Sequence, residues 1–422
     1  MVSRLLTGST LDEVAPPRRV GWSFIGLYAL AYMGTWLALL TPVLVTIALR
    51  VRQLTPEHAA QNLSAIMAIG AACAMLAGPV FGRLSDRTTS RFGMRRPWLA
   101  GGIVGGFFAL LMIAMAQSIA AILVSWCLAQ LSFNAVLASI VPLLPDQVPP
   151  EQRGLVSGIL GMCMPIGQLA GTFLVQAVAD STLLAFMLPA AIGLFTVLAL
   201  VVALPDRRLH EKPASQPLLR EVLESFRIDP REHPDFRWAW LSRFLLGVGC
   251  SCINTFQPFY LIDKLGLPLG EMPLLIFQSM LVQSTLVVIF SVVSGKLSDL
   301  LGRRKVFVFL GALAYAAGLW IVASAHSYAM FVAGLVLTGI GQGAYYAVDL
   351  ALITEVLPDQ RRDAAKDLGI LNIANALPQV IAPALGAAIL TLAGGDYTSL
   401  YLVGGAITFA SACAIQRVKS VR

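Results

Sequence analysis

Hydrophobic residues are concentrated in twelve segments, each close to or above the roughly 20 residues that a helix needs to cross a lipid bilayer. Six of these segments precede a polar stretch at 205–236, and six follow it. The pattern predicts an all-α membrane protein. The predicted spans lie near 21–49, 60–83, 97–117, 119–144, 152–178, 182–204, 237–262, 271–296, 305–325, 328–357, 365–392 and 398–416.

Two short motifs each occur twice, and both pairs are separated by 213 residues. The longer motif occupies Gly82–Pro97 and returns in reduced form at Gly295–Lys305, while Leu-Pro-Asp-Gln occupies both 144–147 and 357–360. One separation shared by two motifs predicts a chain built from two like halves, an arrangement typical of transporters. The predicted units are a tail at 1–20, a six-helix bundle at 21–204, a linker with an amphipathic helix at 205–236, a second six-helix bundle at 237–416, and a tail at 417–422.

The composition supports the membrane class. Hydrophobic residues make up 57% of the chain and charged residues only 13%, which is too little charge to cover the surface of a soluble protein of 422 residues. The first 20 residues lack an apolar core, so no cleavable signal peptide is expected. The six cysteines lie in apolar segments without metal-ligand spacing, and the four histidines lie in loops. We therefore expect no metal site and no cofactor.

The basic residues predict the orientation of the chain. With twelve spans, 26 of the 30 lysines and arginines fall on one side. The opposite side has only Arg50, Arg52 and Lys264, and Arg243 lies inside span seven. The positive-inside rule then predicts that both termini are cytoplasmic and that the protein resides in the plasma or inner membrane. The net charge of +7 is accordingly read as a topology signal, and no nucleic-acid partner is expected.

The 82–97 loop combines an acid, five arginines and two glycines where spans two and three meet the cytoplasm. We expect Asp86 to cap a helix N-terminus or to pair with an arginine across the seam between the halves, closing the cytoplasmic side in one conformation. Asp299 is expected to play the same part in the second half. The alternative is a basic loop that only fixes the topology. The predicted gating residues are Gly82, Asp86, Arg87, Arg91, Gly93, Arg95, Arg96, Asp146, Arg153, Gly295, Asp299, Gly302, Arg303, Arg304 and Asp359.

These loops resemble the signature loops of the major facilitator superfamily, whose pattern G-x-x-x-D-x-x-G-R-R-K is matched by Gly295, Asp299, Gly302, Arg303, Arg304 and Lys305. The longer first copy, at 85–98, resembles the branch of sucrose transporters and glycoside–pentoside–hexuronide symporters, as do 366–375 and 377–379. The resemblance implies twelve helices in two pseudo-symmetric bundles, with a central cavity lined by the first, fourth, seventh and tenth helices.

The chain also departs from that branch. Its sucrose transporters carry an aspartate and an arginine in span four, where this chain has Gln130 and Val141. Its sodium-coupled members use paired aspartates in span two, and span two here contains no deep acid. The substrate and the coupling ion therefore stay open at this point.

Asp349 is the deepest of the 23 acidic residues. It lies eight residues before Leu357 at the predicted end of span ten, or about 12 Å at a rise of about 1.5 Å per residue. A carboxylate at that depth must be paired, hydrated or protonated, and such groups are usually functional. We expect Asp349 to carry the coupling proton. The alternative is a purely structural ion pair, for which Arg243 is the obvious partner.

Polar and aromatic residues form a stripe on span ten, because Gln342, Tyr345, Tyr346 and Asp349 fall at i, i+3, i+4 and i+7. Aromatic rings that cover sugar faces and amides that bond hydroxyls suit a polyhydroxylated ligand. The alternative is that the amides bond between helices. The predicted substrate-binding residues are Tyr28, Tyr32, Trp36, Trp126, Gln130, Asn134, Gln168, Asn254, Gln257, Gln342, Tyr345, Tyr346, Asn372 and Asn375.

The leading hypothesis is a monomeric, proton-coupled secondary transporter of a sugar, glycoside or similar polar small molecule, working by alternating access. No G-x-x-x-x-G-K-[ST] nucleotide loop is present, so the driving force is an ion gradient or the gradient of the substrate. The alternative is a proton-antiport exporter of drugs or metabolites, because the glycines and proline at 158–171 partly resemble the pattern of antiporters, although Met164 stands where that pattern has glycine. Small residues at such spacing also pack helices closely. An enzyme is not expected, because no nucleophiles, acids or metal ligands converge at one membrane face.

Overall fold

The computed structural model describes residues 19–206, 234–356 and 364–419, and its secondary structure within these ranges is helical. Eleven helices in them are long and apolar enough to cross a membrane. A twelfth has Pro378 and Pro383 inside it and an apolar part at Leu377–Leu392. Helices α1 to α12 are Trp22–Leu54, Ala59–Asp86, Arg96–Met115, Ile119–Gln147, Pro150–Ala177, Thr182–Ala203, Pro234–Lys264, Met272–Leu301, Arg304–Ala323, Tyr328–Val356, Ala364–Leu392 and Tyr397–Gln416.

The predicted all-α membrane architecture is confirmed, and two helix ends differ from the prediction. Helix α1 continues past 49 to Leu54, and α8 continues past 296 to Leu301. Hydropathy follows the apolar thickness of the bilayer, whereas a helix continues into the polar interface as long as its backbone bonds are kept. The linker helix expected at 205–236 and the tail at 1–20 lie almost wholly outside the described residues.

The two halves pair their helices in the same way. In the first half α1 packs on α5 and α6, α2 on α4, and α3 on α4 and α6. The second half repeats this arrangement, with α7 on α11 and α12, α8 on α10, and α9 on α10 and α12. Between the halves, the main helix contacts are α2 with α11 and α5 with α8. These two seams flank the centre of the molecule, where α1 and α7 lie.

Glycines let corresponding helices approach closely in both halves. A Cβ atom on Gly102 of α3 would lie 2.7 Å from the carbonyl oxygen of Ser132 in α4. In the second half, a Cβ atom on Gly311 of α9 would lie 2.8 Å from the carbonyl oxygen of Gly341 in α10. Such small-residue contacts replace the hydrophobic effect as the source of helix association inside a membrane. They make each half a closely packed unit.

The central helices are buried differently along their lengths. We call the side with the 82–97 loop the basic face and the side with the turn after Leu54 the far face. Toward the far face, nearly every residue at 37–48 of α1 and at 248–261 of α7 is buried, and the two helices touch. Toward the basic face, buried residues recur only on one side of each helix. The molecule is therefore closed at the far face and open between its halves at the basic face.

The close packing of α9 and α10 leads to a first prediction. In Gly341→Ala, the new methyl group would lie 2.5 Å from both the carbonyl oxygen of Gly311 and the amide nitrogen of Tyr315. Backbone atoms cannot rotate away, so we expect a loss of about 2 kcal/mol in stability, measured as a lower thermal unfolding midpoint in detergent. Gly101→Ala, which meets nothing within 4 Å, is the control and should be neutral or stabilising. Equal midpoints for the two variants would contradict the packing.

Candidate functional site

A buried ion pair links the two helices at the centre of the second half. A guanidinium nitrogen of Arg243 on α7 donates to Oδ2 of Asp349 on α10, and Asp349 has no exposed surface. Arg243 also lies over the ring of Tyr346, with its guanidinium carbon 5.7 Å from the ring centroid. The second carboxylate oxygen, Oδ1, accepts no hydrogen bond from any described residue. The two charges are therefore in direct contact, but the hydrogen-bonding capacity of the carboxylate is only partly used.

This pair is energetically sensitive to a proton. Removing one partner of a buried pair typically costs about 3–5 kcal/mol, because the remaining charge is left uncompensated. A proton on Asp349 has the same electrostatic effect as removing its charge, and it would free Arg243 from its main anionic contact. Neutralising Asp349 would therefore weaken the contact between α7 and α10.

Tyr345 belongs to a hydroxyl cluster below this pair. Its hydroxyl lies 2.9 Å from Oγ of Ser242, which in turn lies 3.0 Å from Oγ of Ser411. Ser411 donates to the backbone carbonyl of Ser242 at 2.7 Å. All three side chains are buried. The cluster joins α7, α10 and α12 and holds the helices that present Arg243 and Asp349, so Tyr345 acts here in helix packing.

On α1 and α4, several predicted residues are also packed between helices. The Tyr28 hydroxyl donates to the carbonyl oxygen of Ile140 at 2.8 Å, and Tyr28 has no exposed surface. Trp126 is fully buried against Gly70. Gln130 is 9% exposed, and the amide of Asn134 donates to its backbone carbonyl at 2.8 Å. Tyr28 and Trp126 therefore do not reach the opening in this conformation.

A second group of predicted residues keeps partial exposure. Tyr32 and Trp36 meet edge to face with ring centroids 6.0 Å apart. The half-buried members of the predicted set are Tyr32, Trp36, Asn134, Gln168, Asn254, Gln342 and Tyr346. They come from α1, α4, α7 and α10, which are the helices expected to line a central cavity, and, for Gln168, from α5. The side chains of Asn372 and Asn375 lie outside the described residues.

Glutamines on α7 and α8 complete the polar groups near the centre. Gln257 is 1% exposed, and neither amide atom has a hydrogen-bond partner in the described part of the chain. On α8, Nε2 of Gln283 donates to Thr338 at 3.3 Å and to Oε1 of Gln342 at 3.5 Å. Gln283 was not among the predicted residues, although an isolated glutamine in an apolar span is a signal that the sequence does offer.

At the basic face, the loop at 82–97 makes its ion pairs within the first half. Arg95 pairs with Asp86 at 2.7 Å and with Asp146 at 3.3 Å, and it donates to Oγ of Ser85 at 2.9 Å. The side chain of Arg95 is only 5% exposed. Asp86 was expected to cap a helix or to pair across the seam, and the structure instead pairs it within its own half. An arginine nine residues further along the loop is the nearer partner when the halves are apart at this face.

The helix cap expected of Asp86 is supplied by a residue that the sequence did not single out. One carboxylate oxygen of Asp206 accepts the backbone N–H groups of Arg95 and Arg96, each at 2.8 Å, at the start of α3. The partial positive charge of a helix N-terminus favours an anion there. Asp206 thus ties the end of α6 to the start of α3.

A cation at the start of α3 and of α9 makes an equivalent contact in each half. Arg96 donates to the carbonyl oxygen of Leu204 after α6, and Nζ of Lys305 donates to the carbonyls of Gln416 and Val418 at 2.9 and 2.7 Å. Cations are favoured at these carboxyl ends, where carbonyls lack helical partners. Within each half, the same kind of contact therefore links two helices at the basic face.

The remaining predicted gating residues lie around these contacts. Arg153 donates to the carbonyls of Val148 and Pro145, each at 3.0 Å. Gly93 and Gly302 adopt positive φ of 107° and 60°, which end the preceding turn and helix. Gly82 on α2, Gly295 on α8 and Arg304 at the start of α9 lie at the same face, as do Arg87, Arg91 and Arg303 in the turns between helices. Asp359 and the side chain of Asp299 lie outside the described residues.

At the far face, an ion pair crosses between the halves. Arg52 at the end of α1 pairs with Asp263 at the end of α7 at 2.7 Å, and both side chains are about one-quarter exposed. Asp263 also accepts a hydrogen bond from the Tyr397 hydroxyl at 3.0 Å. From the sequence, Arg52 was expected only to be one of the few basic residues at this face. This contact holds the far face closed in the present conformation.

A second carboxylate at the far face is local to the second half. Burial works against the charge of Asp396, but hydrogen bonds from Thr398 and Ser399 and the charge of Lys264 hold the pKa of this carboxyl below its usual range. Lys264 lies 3.7 Å from Asp396 and donates to Thr398 at 2.9 Å. Lys264 and Asp396 thus find their charged and hydrogen-bonding partners within the second half.

Comparisons with known proteins agree on the type of protein. A family model described as Major Facilitator Superfamily matches residues 24–287 and 240–418. The fold is similar to the crystal structure of the nucleoside transporter NupG, with a TM-score of 0.73 and 15% identity over 94% of this chain and 99% of that one. It is also similar to a bacterial homologue of the human lysosomal transporter Spinster, with a TM-score of 0.65 and 15% identity over 95% and 99% of the two chains.

Curated relatives match only a part of the chain. Multidrug resistance protein MdtL of Klebsiella pneumoniae is 36% identical over 93 residues, which are 22% of this chain and 23% of that protein. MdtL of Escherichia coli O45:K1 is 38% identical over 98 residues, with the same coverage. The chain therefore aligns with about a quarter of the length of these relatives.

The far-face ion pair leads to a second prediction. Reversing one charge, in Arg52→Asp or Asp263→Arg, should open the far face, because attraction becomes repulsion. A partly exposed pair is worth about 1 kcal/mol, so the open population should rise roughly fivefold. The distance between spin labels at Glu57 and Leu392, measured by electron paramagnetic resonance, should lengthen. The double exchange Arg52→Asp/Asp263→Arg is the control and should restore the short distance; equal distances in all four proteins would exclude a latch.

The contact between Asp206 and the start of α3 leads to a third prediction. Asp206→Ala leaves two backbone N–H groups without their acceptor and should lower the stability by about 1–2 kcal/mol. Thermal unfolding in detergent measures the change. Asp180→Ala removes an exposed acid between α5 and α6 and should have little effect. A neutral Asp206→Ala would show that the carboxylate contributes nothing to helix α3.

Proposed function

This chain belongs to the major facilitator superfamily, and we propose that it is a proton-coupled secondary transporter of a polar small molecule. The observation that carries the proposal is the buried Arg243–Asp349 pair, which joins α7 and α10 beside partly exposed aromatic and amide side chains. Charge is costly inside a membrane and is retained where it has a task. Two separately packed halves around this pair suit alternating access.

The basic face is assigned to the cytoplasm. Cytoplasmic loops carry an excess of lysine and arginine, and this face holds most of those in the chain. Both termini are then cytoplasmic, in the plasma or inner membrane. The conformation with the far face closed by Arg52 and Asp263 is accordingly the inward-open state.

The coupling mechanism follows from the charges. While Asp349 is ionised, it neutralises Arg243 and draws α7 and α10 together. When a proton neutralises Asp349, Arg243 turns to another acceptor, either the substrate or a carbonyl. The energy of the pair thereby differs between the protonated and deprotonated states, which is what linkage between a proton and a conformation requires. The pairing with Arg243 also fits a structural role, so the coupling must be tested by transport.

The substrate class follows from the partly exposed side chains. Tyr32 and Trp36 present ring faces and edges from α1, and Tyr346 presents a ring beside Arg243. Gln168, Asn254 and Gln342 add amide donors and acceptors from three other helices. Rings together with amides suit a sugar, a glycoside or another molecule that combines an apolar face with several hydroxyl groups.

Export by proton antiport is the second candidate, favoured by the 36–38% identity to MdtL over 22% of the chain. The glycine pattern in α5 bears on it. Gly167 and Gly171 pack tightly on α1, since a Cβ atom on Gly171 would lie 2.0 Å from Oγ1 of Thr41. Gly158 and Gly161 meet nothing within 4 Å. The second half of the pattern therefore packs α5 closely on α1, whereas the first half makes no such close contact.

A fourth prediction separates coupling from structure. In proteoliposomes containing a pH-sensitive dye, addition of substrate should drive protons in the direction of the substrate for symport and against it for antiport. Asp349→Asn should abolish this proton flux, because the amide takes up no proton. Sugars, glycosides and antibiotics are screened as substrates by the stabilisation of the purified protein.

The control for this experiment keeps the buried charge balanced. Asp349→Asn alone removes the buried carboxylate that pairs with Arg243, whereas the double variant Arg243→Gln/Asp349→Asn removes both charges of the pair and should fold better. It should still show no substrate-driven proton flux. Asp180→Asn, an exposed acid, should behave like the parent. Proton flux of normal size in the double variant would reject Asp349 as the coupling residue.

A further inference from the structure

A cleft opens at the far face on the seam between the halves, away from the central pair. It encloses about 350 Å³ of free space, including its open mouth. Its walls come from α1, α5 and α6 of the first half and from the start of α8 in the second half. The side chains that matter here are Thr46, Arg50, Gln53, Thr182, Phe186 and Pro273.

Two buried polar atoms in this wall have no protein partner. Thr46 is 3% exposed, and its Oγ1 finds no hydrogen-bond partner among the described residues. The same holds for the buried Nε of Arg50. The two residues are four apart on α1, so they lie on one face of the helix. Thr46 also ends the π-helical turn Pro42–Thr46, a distortion often found at functional sites.

The charge of Arg50 has no acidic counterpart in the cleft. Its Nη2 donates to the carbonyl oxygen of Ala116 at 2.7 Å, which caps the end of α3, and its Nη1 donates to Oε1 of Gln53 at 3.2 Å. No aspartate or glutamate lines the cleft within the described chain. The two terminal nitrogens of the guanidinium are therefore held in place, while the buried Nε has no acceptor among the described residues.

The position and the other walls of the cleft restrict what binds there. Ala116, Thr182 and Pro273 stand at helix ends on the far face, which is the level of lipid headgroups. The rest of the wall is mostly apolar, from Leu49, Val175, Ala185, Phe186 and Pro273. An anionic head with an apolar body attached would satisfy both parts of this wall.

We propose that this cleft binds a phosphate group, with Arg50 and Thr46 donating hydrogen bonds to its oxygens. Arginine with a neighbouring hydroxyl is a common pairing for phosphate. The chemistry fits the headgroup of an anionic phospholipid and also a free phosphate ion. Because the cleft has walls from both halves, the bound group stabilises the conformation in which the far face is closed.

The test measures thermal unfolding of the full-length protein in detergent with three additions at matched concentration. They are phosphatidylglycerol, phosphatidylcholine and inorganic phosphate. Phosphatidylglycerol should raise the unfolding midpoint of the parent more than phosphatidylcholine does. This rise should fall by about half or more in Arg50→Gln and in Thr46→Val, since each loses a donor to the phosphate. Thr46→Val keeps the shape of the side chain, and it leaves Arg50 bonded to the carbonyl of Ala116 at the end of α3. It therefore remains informative if Arg50→Gln folds poorly.

Lys264→Gln is the matched control, because it removes one of the other far-face cations without touching the cleft. It should keep the full response to phosphatidylglycerol. A response reproduced by inorganic phosphate identifies a soluble anion as the ligand, and a response confined to the lipid identifies the headgroup. The proposal is overturned if Thr46→Val and Arg50→Gln respond like the parent, or if Lys264→Gln loses as much as they do.

Discussion

Polar groups that leave water inside an apolar helix bundle must find partners within the protein, and this constraint accounts for many of the side-chain hydrogen bonds between helices. The Tyr28 hydroxyl reaches the carbonyl of Ile140 in α4, and the Tyr260 hydroxyl reaches the carbonyl of Val322 in α9 at 2.6 Å. The same need fastens Arg96 and Lys305 to carbonyls at the ends of α6 and α12. Polar residues thus act as fixed links between helices whose apolar surfaces give little preference for one neighbour over another.

Against that background, the polar atoms that lack a partner carry the most information about function. Oδ1 of Asp349, both amide atoms of Gln257 and Nε of Arg50 are buried without an acceptor or donor in the described chain. Each represents a cost that folding alone does not require. Asp349 and Gln257 belong to the central helices, and Arg50 belongs to the far-face cleft. These atoms mark a central candidate transport site and a peripheral candidate binding site, whereas other unpartnered atoms, such as Nε of Arg96 and the Tyr401 hydroxyl, lie in neither.

The sequence was sufficient for those features that depend on local composition. Helix positions follow from apolar length, and the two like halves follow from repeated motifs, so the architecture was predictable. The partner of Asp349 was predictable as an alternative, because Arg243 is the one basic residue placed within a span. In contrast, the cap at the start of α3 joins the backbone of Arg95 to Asp206 across 111 residues, and no local sequence pattern predicts it. The burial of Tyr28 and Trp126 was also beyond the sequence, since a helical stripe shows which residues share a face and not what that face touches.

The anchoring of Asp206 has a consequence for the motion between the halves. It fixes the chain at the start of the connection, and the next described residue is Pro234 at the start of α7. The halves themselves meet mainly along the α2–α11 and α5–α8 seams. In the alternating access proposed here, Asp206 would move with the first half, and the helices of these two seams would have to tilt or slide against each other.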